Sequence, residues 1–157
     1  MPAGSIWLLR RVGLYDVPIL PMDDPGAELA RLAAEPLEGD ALDRLRKLCA
    51  AGGDWAAQDR HRAAQLLGAS TIREDVAQAY DLALSAMGQH RPARRQAAEL
   101  YDRLRVLDQR PQKFGSQLGP DGSPWPVDPA TTDSERAKWD LPPLADLPHA
   151  DGGAEQP

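Results

Sequence analysis

Cysteine is almost missing from the chain, which has a single thiol, Cys49, among 157 residues. One cysteine cannot form an intramolecular disulfide, and it excludes zinc ribbons and other sites that need several thiolates. Long hydrophobic runs are missing too. Near the N-terminus the longest run is Ile6–Leu9, which is too short for a membrane span. It precedes Arg10 and Arg11, whereas in a signal peptide the basic residues come before the apolar run. We therefore expect a cytoplasmic protein that does not act in a membrane.

Aromatic residues are also scarce, at 5% of the chain with one phenylalanine, so a core of leucine, alanine and valine is expected. Proline is abundant, and 9 of its 15 residues lie at or after Pro111. This asymmetry predicts a helical body followed by an irregular arm. The predicted parts are an extended lead-in over 1–22, a helical body over 23–110, a wrapping arm with one short helix over 111–148 and a disordered tail over 149–157.

Hydrophobic periodicity and helix-start signals indicate an all-α protein, a small bundle of about five helices. Asp24-Pro25 and Asp40 are start signals, and Thr71 to Glu74 matches a capping box. In the longest predicted helix, from Arg91-Pro92 to about Gln109, the expected buried stripe is Ala97, Leu100, Tyr101, Leu104 and Leu107. In the arm, Thr132 or Asp133 is expected to cap one short helix.

Charge is distributed unevenly along the chain, whose net charge is −6. Residues 91–113 carry 7 basic and 3 acidic groups, whereas residues 120–157 carry 2 basic and 8 acidic groups. An acidic arm next to a basic helix is expected to fold back onto it. Because the chain as a whole would repel a polyanion, nucleic acid is not expected as a partner.

The order of motifs from Tyr101 to Leu147 resembles a family of small bacterial proteins of unknown function. Asp102-Arg103-Leu104-Arg105-Val106 matches the family's D-R-V/L-R-V helix end. Phe114-Gly115-Ser116-Gln117 matches its Q-x-Y-G-T-Q box, with Phe for Tyr and Ser for Thr. Pro126 and Asp128 match a P-I-x-D segment, and the stretch from Glu135 to Leu144 matches an R-R-x-x-L-G-L-P-P-L ending, with Asp140 where the family has Gly. Many members also carry a Q-H-A-D motif upstream, where this chain has Ala69-Ser70-Thr71-Ile72 without a histidine. The resemblance implies a class of protein and no settled activity.

Polar residues at the end of the long helix and in the Phe-Gly-Ser-Gln box, residues 114–117, form the candidate site. Asp102, Arg105 and Gln109 are spaced three and four apart and are predicted to share a helical face. Gly115 would let the backbone approach a ligand or adopt a positive φ. Arginine can bind a carboxylate or phosphate, and glutamine an amide. The candidate ligand-binding residues are Arg105, Gln109, Gln112, Gln117 and Trp125; if the protein is an enzyme, the candidate catalytic residues are Asp102 and Ser116.

The same residues also have a purely structural interpretation, which we prefer. Asp102 and Arg105 would form an intrahelical ion pair, and Gln117 would hydrogen-bond loop carbonyls and so hold the arm. Trp125 and Trp139 would anchor the arm through their large apolar area and would not cover a ligand.

The three histidines, His61, His90 and His149, are far apart in the sequence, and none has metal-ligand spacing to another. No metal and no cofactor is therefore expected. His61 is interpreted as a solvated helix residue and His90 as a helix C-terminal residue favoured by the helix dipole. Cys49 lies on an apolar stripe and is interpreted as a core residue.

Two functions remain open from the sequence. The first is a small accessory or binding protein that presents a polar groove, at the helix end and the box, to a small molecule or a protein partner. The second is a cofactor-independent enzyme of bacterial specialised metabolism, a cyclase, isomerase or hydrolase, with Asp102 as acid and base. The absence of a cofactor motif favours the first, and the chain is expected to be a monomer or a homodimer.

Overall fold

Six α-helices form within residues 24–147, the part of the chain that this computed structural model describes. The all-α prediction is confirmed, because no strand forms in these residues and the arm contains only two isolated β-bridges, Gln112 with Val127 and Leu118 with Pro124. The predicted lead-in over 1–22 and the predicted tail over 149–157 lie outside the described residues. The helices are α1 (Pro25–Ala33), α2 (Asp40–Ala51), α3 (Ala57–Leu67), α4 (Arg73–Ala86), α5 (Pro92–Leu107) and α6 (Asp133–Lys138), and a short 3₁₀ helix covers Leu144–Asp146.

Two of the predicted helix starts are confirmed by side-chain caps. The Asp24 carboxylate accepts a hydrogen bond from the Gly26 amide at 3.1 Å, and the Thr132 hydroxyl accepts one from the Glu135 amide at 3.2 Å. Such caps satisfy amide groups that have no partner within the helix.

The predicted capping box at Thr71 is wrong. Helix α4 starts after Ile72, whose side chain cannot cap it. The neighbouring Ser70 hydroxyl accepts from the Ile72 amide at 3.1 Å and donates to the Asp75 carboxylate at 2.6 Å. Asp75 also receives a two-pronged bond from Arg46 of α2, which lowers the pKa of Asp75, so a tertiary contact decides the geometry of this turn.

Helix α4 lies between α3 and α5 and makes the most extensive contacts with both. The facing residues are small, and Ala63, Ala79, Ala83 and Ala97 are fully buried. Alanine at these positions lets the helix backbones approach closely, which is how a chain with few aromatics fills its interior. Helices α1 and α2 cover this trio with Leu29, Leu32 and Leu45, and the predicted core residue Cys49 is buried there.

The predicted buried stripe of α5 fails at its end. Leu100 is buried and Leu104 packs against the core, but Leu107 is 37% exposed. It is the last residue of the helix, where the chain leaves the body.

The arm folds back on α5, as the charge distribution predicts. Phe114 and Leu141 are buried against Ala98, and Trp139 packs on them. One ion pair, Arg91 with Asp140 at 2.9 Å, joins the helical body to the arm, and a second, Lys113 with Glu135 at 2.6 Å, lies within the arm. Glu135 raises the pKa of Lys113.

Candidate functional site

Asp102 lies fully buried on α5, where it faces the start of the arm. Its Oδ1 accepts from the amides of Lys113 at 2.7 Å and Phe114 at 2.9 Å. Its Oδ2 accepts from the Ser116 amide at 3.0 Å and the Ser116 hydroxyl at 2.8 Å. Four donors from one loop thus converge on one carboxylate, an arrangement that stabilises a buried negative charge.

Gln112 is the second fully buried polar side chain. Its amide nitrogen donates to the carbonyls of Gln117 at 3.0 Å and Trp125 at 2.7 Å, and its amide oxygen accepts from the Gln117 amide at 2.8 Å. Its backbone bonds to Pro126 and Asp128 on the returning segment of the arm. Gln112 therefore closes the loop between residues 112 and 128 from inside.

Arg136 of α6 supplies a third buried link, and only 2% of it is exposed. Its Nε donates to the Phe114 carbonyl at 3.0 Å, and its Nη1 donates to the Thr131 carbonyl at 3.1 Å and to Asp133 at 2.9 Å. Gly115 lies directly after Phe114 with φ of +91°, in the left-handed region that favours glycine. A Cβ there would lie 2.7 Å from Leu144 Cδ1, so the close approach of the arm's own end requires the glycine.

The structure brings together four of the predicted site residues: Asp102, Gln112, Ser116 and Gln117. The Gln117 amide nitrogen donates to the Glu99 carbonyl of α5 at 3.2 Å and to the Ser116 hydroxyl at 3.1 Å. Gln117 thus makes the carbonyl contact that its structural interpretation predicts, although the carbonyl belongs to a helix and not to a loop.

Two expectations about the helix end are wrong. Helix α5 ends at Leu107, so Gln109 does not share its face; Gln109 is exposed with φ of +55°, and its side chain bonds weakly to Val106 at 3.4 Å. The predicted ion pair between Asp102 and Arg105 does not form. Arg105 instead donates through Nε to the Pro111 carbonyl and through Nη1 to the Tyr101 hydroxyl at 3.5 Å. Asp102 turns inward because the arm offers it backbone donors.

Trp125 holds the arm through a hydrogen bond and not through apolar packing. Its indole nitrogen donates to the Arg110 carbonyl at 2.9 Å, and the ring remains partly exposed. Of the two, Trp139 is the one that packs on the body, and the centre of its ring lies 5.5 Å from the centre of the Phe114 ring.

The sequence interpretation missed a histidine pair. His61 Nδ1 on α3 and His90 Nε2, just before α5, are 3.1 Å apart, and both rings are half-buried. Burial and the neighbouring His90 lower the pKa of His61. A separation of 29 residues carries no sequence signal, so only the packing of α3 against the start of α5 reveals the pair.

Two of the cavities that open among the described residues lie beside charged or titratable side chains. A cavity of about 690 Å³ lies beside α2 and is lined by charged side chains, among them Glu35, Asp43 and Arg44. A smaller one of about 320 Å³ lies between α3 and α5 beside the histidine pair; it is lined by His61, Gln65, Pro92, Arg95, Gln96 and Glu99. Cys49 lines neither, and burial raises the pKa of its thiol to about 11.

Over residues 24–147, no group of three or more histidine, cysteine or acidic side chains is arranged to hold a metal ion. Within the same range, no helix has both the length and the apolar character needed to cross a membrane. No family model, curated protein or solved structure matches the chain.

Proposed function

We propose that the protein is a non-catalytic accessory or binding protein that presents the end of α5 to a small molecule or a protein partner. The observation that carries this proposal is the state of Asp102. An acid or base must exchange a proton with its substrate, and the Asp102 carboxylate is fully buried and accepts four hydrogen bonds from its own chain. The Phe-Gly-Ser-Gln box therefore has a structural role. A ligand would bind to groups on the exposed side of the turn.

The binding surface that we propose, the helix-end groove, consists of Arg105, Gln109, Arg110 and Trp125. Arg105 and Trp125 bond to the adjacent carbonyls of Pro111 and Arg110, so the guanidinium and the indole flank one turn of backbone. Arg105 uses one of its five donors for the Pro111 carbonyl and one for the Tyr101 hydroxyl, and its remaining donors have no protein acceptor within residues 24–147. A guanidinium and a partly exposed indole at one turn suit a ligand that carries an anionic group and a planar ring.

The proposal also covers the family of the protein, its location and its oligomeric state. We infer membership of the bacterial family that the box and the proline-rich ending resemble, and a place in the cytoplasm as a monomer or homodimer. The net charge of −6 supports a partner other than nucleic acid.

Phenyl phosphate is a suitable probe because it joins a dianion to a planar ring. We expect it to raise the melting temperature of the wild-type protein in a dose-dependent way, and to raise that of Arg105→Ala much less relative to the variant's own baseline. Arg44→Ala is the matched control, since Arg44 is an exposed arginine on α2 that pairs with Glu35.

Equal stabilisation of wild type and Arg105→Ala would overturn the helix-end groove, as would no stabilisation at all. Hydrolysis of the probe by the wild type that is lost in Asp102→Asn would overturn the non-catalytic assignment.

A further inference from the structure

We propose that His61 and His90 form a binding site for one divalent transition-metal ion, with His61 coordinating through Nδ1 and His90 through Nε2. The two histidines come from different elements, α3 and the segment just before α5. A metal bound there would join the two elements.

The geometry of the two rings fits one shared ion. Two nitrogens bound in adjacent positions at ~2.0–2.1 Å from a metal lie roughly 2.8–3.4 Å apart. The observed separation is 3.1 Å.

The distance between the ring centres makes a second, independent test. Rings that point their nitrogens straight at each other in a linear hydrogen bond of this length would have centres ~5.4 Å apart, whereas rings that converge on one ion ~2.0–2.1 Å from each nitrogen would have centres ~4.8 Å apart. The observed distance is 4.7 Å, with the rings tilted by 48°. The two rings thus already have the spacing of a pair of metal ligands.

The surroundings of the pair suit a partly hydrated cation. His61 lines the cavity of about 320 Å³, which leaves room for water to complete the coordination. Gln96 lines the same cavity, and its amide oxygen is buried without a hydrogen-bond partner among the described residues. Water on a metal ion is a strong donor and would satisfy that oxygen. Arg95 also lines the cavity, but Glu99 pairs with it at 2.8 Å and offsets its charge.

Coordination requires little chemical change. In the metal-free pair one ring nitrogen donates its proton to the other. On binding, the donating ring releases this proton to water and takes one up on its other nitrogen, so the net proton balance is zero. Both rings are then neutral, which is the form in which histidine binds a metal ion.

The test uses the full chain without a histidine tag, and Zn²⁺ and Cu²⁺ as probes. Isothermal titration with Zn²⁺ at pH 7.5 should give one ion per chain. Either His61→Gln or His90→Gln should weaken binding about tenfold or more, because half of the protein ligands are lost. His149→Gln is the matched control, since it removes the one histidine outside the pair, and it should bind as the wild type does.

Electron paramagnetic resonance of the Cu²⁺-loaded wild type gives a readout that does not depend on the folding of any variant. Two imidazole nitrogens in its hyperfine pattern are expected. No Zn²⁺ binding, binding unchanged in both pair variants, or a pattern with fewer than two imidazoles would each overturn the proposal.

Discussion

Replacing Asp102 tests the central feature of the structure, the attachment of the arm to α5. In Asp102→Ala, the amides of Lys113, Phe114 and Ser116 lose their acceptor. The Phe114 amide lies in a buried environment, whereas the other two are part-buried. An unsatisfied buried donor costs about 1–3 kcal/mol, and water relieves part of that cost at the other two, so we expect a loss of about 3–5 kcal/mol.

Two milder substitutions should each lower the free energy of unfolding by less than Asp102→Ala does. Asp102→Asn keeps one acceptor oxygen but brings an amide group toward the Ser116 amide, so it should cost about 1.5–3 kcal/mol. Ser116→Ala removes the hydroxyl that donates to Asp102 and accepts from the Gln117 side-chain amide, at about 1–2 kcal/mol.

Urea denaturation at pH 7, followed by circular dichroism, measures these free energies, and the melting temperature of Asp102→Ala should fall by roughly 10–15 °C. Hydrogen exchange at Lys113, Phe114 and Ser116 should accelerate before that of α4, because the arm opens first. If Asp102→Ala is as stable as the wild type or more so, then the carboxylate does not hold the arm. It would then be held ready for an external ligand.

Three further outcomes follow from other contacts of the described residues. Gly115→Ala should cost about 2–4 kcal/mol in urea denaturation, because its φ of +91° and a Cβ only 2.7 Å from Leu144 leave no room for a methyl group; a neutral result would contradict the packing of the arm's end. Arg136→Ala should cost about 2–4 kcal/mol, and Arg136→Lys should restore little of it, because a lysine cannot bond two buried carbonyls in fork geometry. The pKa of His61 is lowered from the ordinary 6.5 in the fold, so the unfolded chain binds the proton first and stability should fall as the pH drops below about 6.5. His61→Gln should flatten that part of a pH–stability profile, and an unchanged slope would place the titration elsewhere.

The helical class and most helix limits could be predicted from the sequence, because they depend on local features. Periodic leucine and alanine, an aspartate before Pro25 and the glycines after Ala51 and Leu67 all act within a few residues. The turn before α4 is one exception. There, Ser70 bonds to a carboxylate that Arg46 holds from another helix, so the local pattern at Thr71 was misleading.

The composition of the candidate site was also predictable, but its role was not. Asp102, Gln112, Ser116 and Gln117 stand out as polar residues around a helix end, and the structure brings them together. Whether such groups bind a ligand or their own backbone depends on where a later segment lies. Periodicity cannot indicate this, because Asp102 receives its bonds from residues 11 to 14 positions further along the chain.

By itself, the sequence determined the number and kind of elements, the uneven distribution of charge, and the residue types at the helix end. Only the tertiary structure decided that Asp102 is buried, that Arg136 reaches the Phe114 carbonyl over 22 positions, and that His61 and His90 meet across 29. The physical reason is the range of the interactions. Helix formation depends on neighbours three and four residues apart, whereas a buried hydrogen bond depends on which distant donors packing brings within about 3 Å.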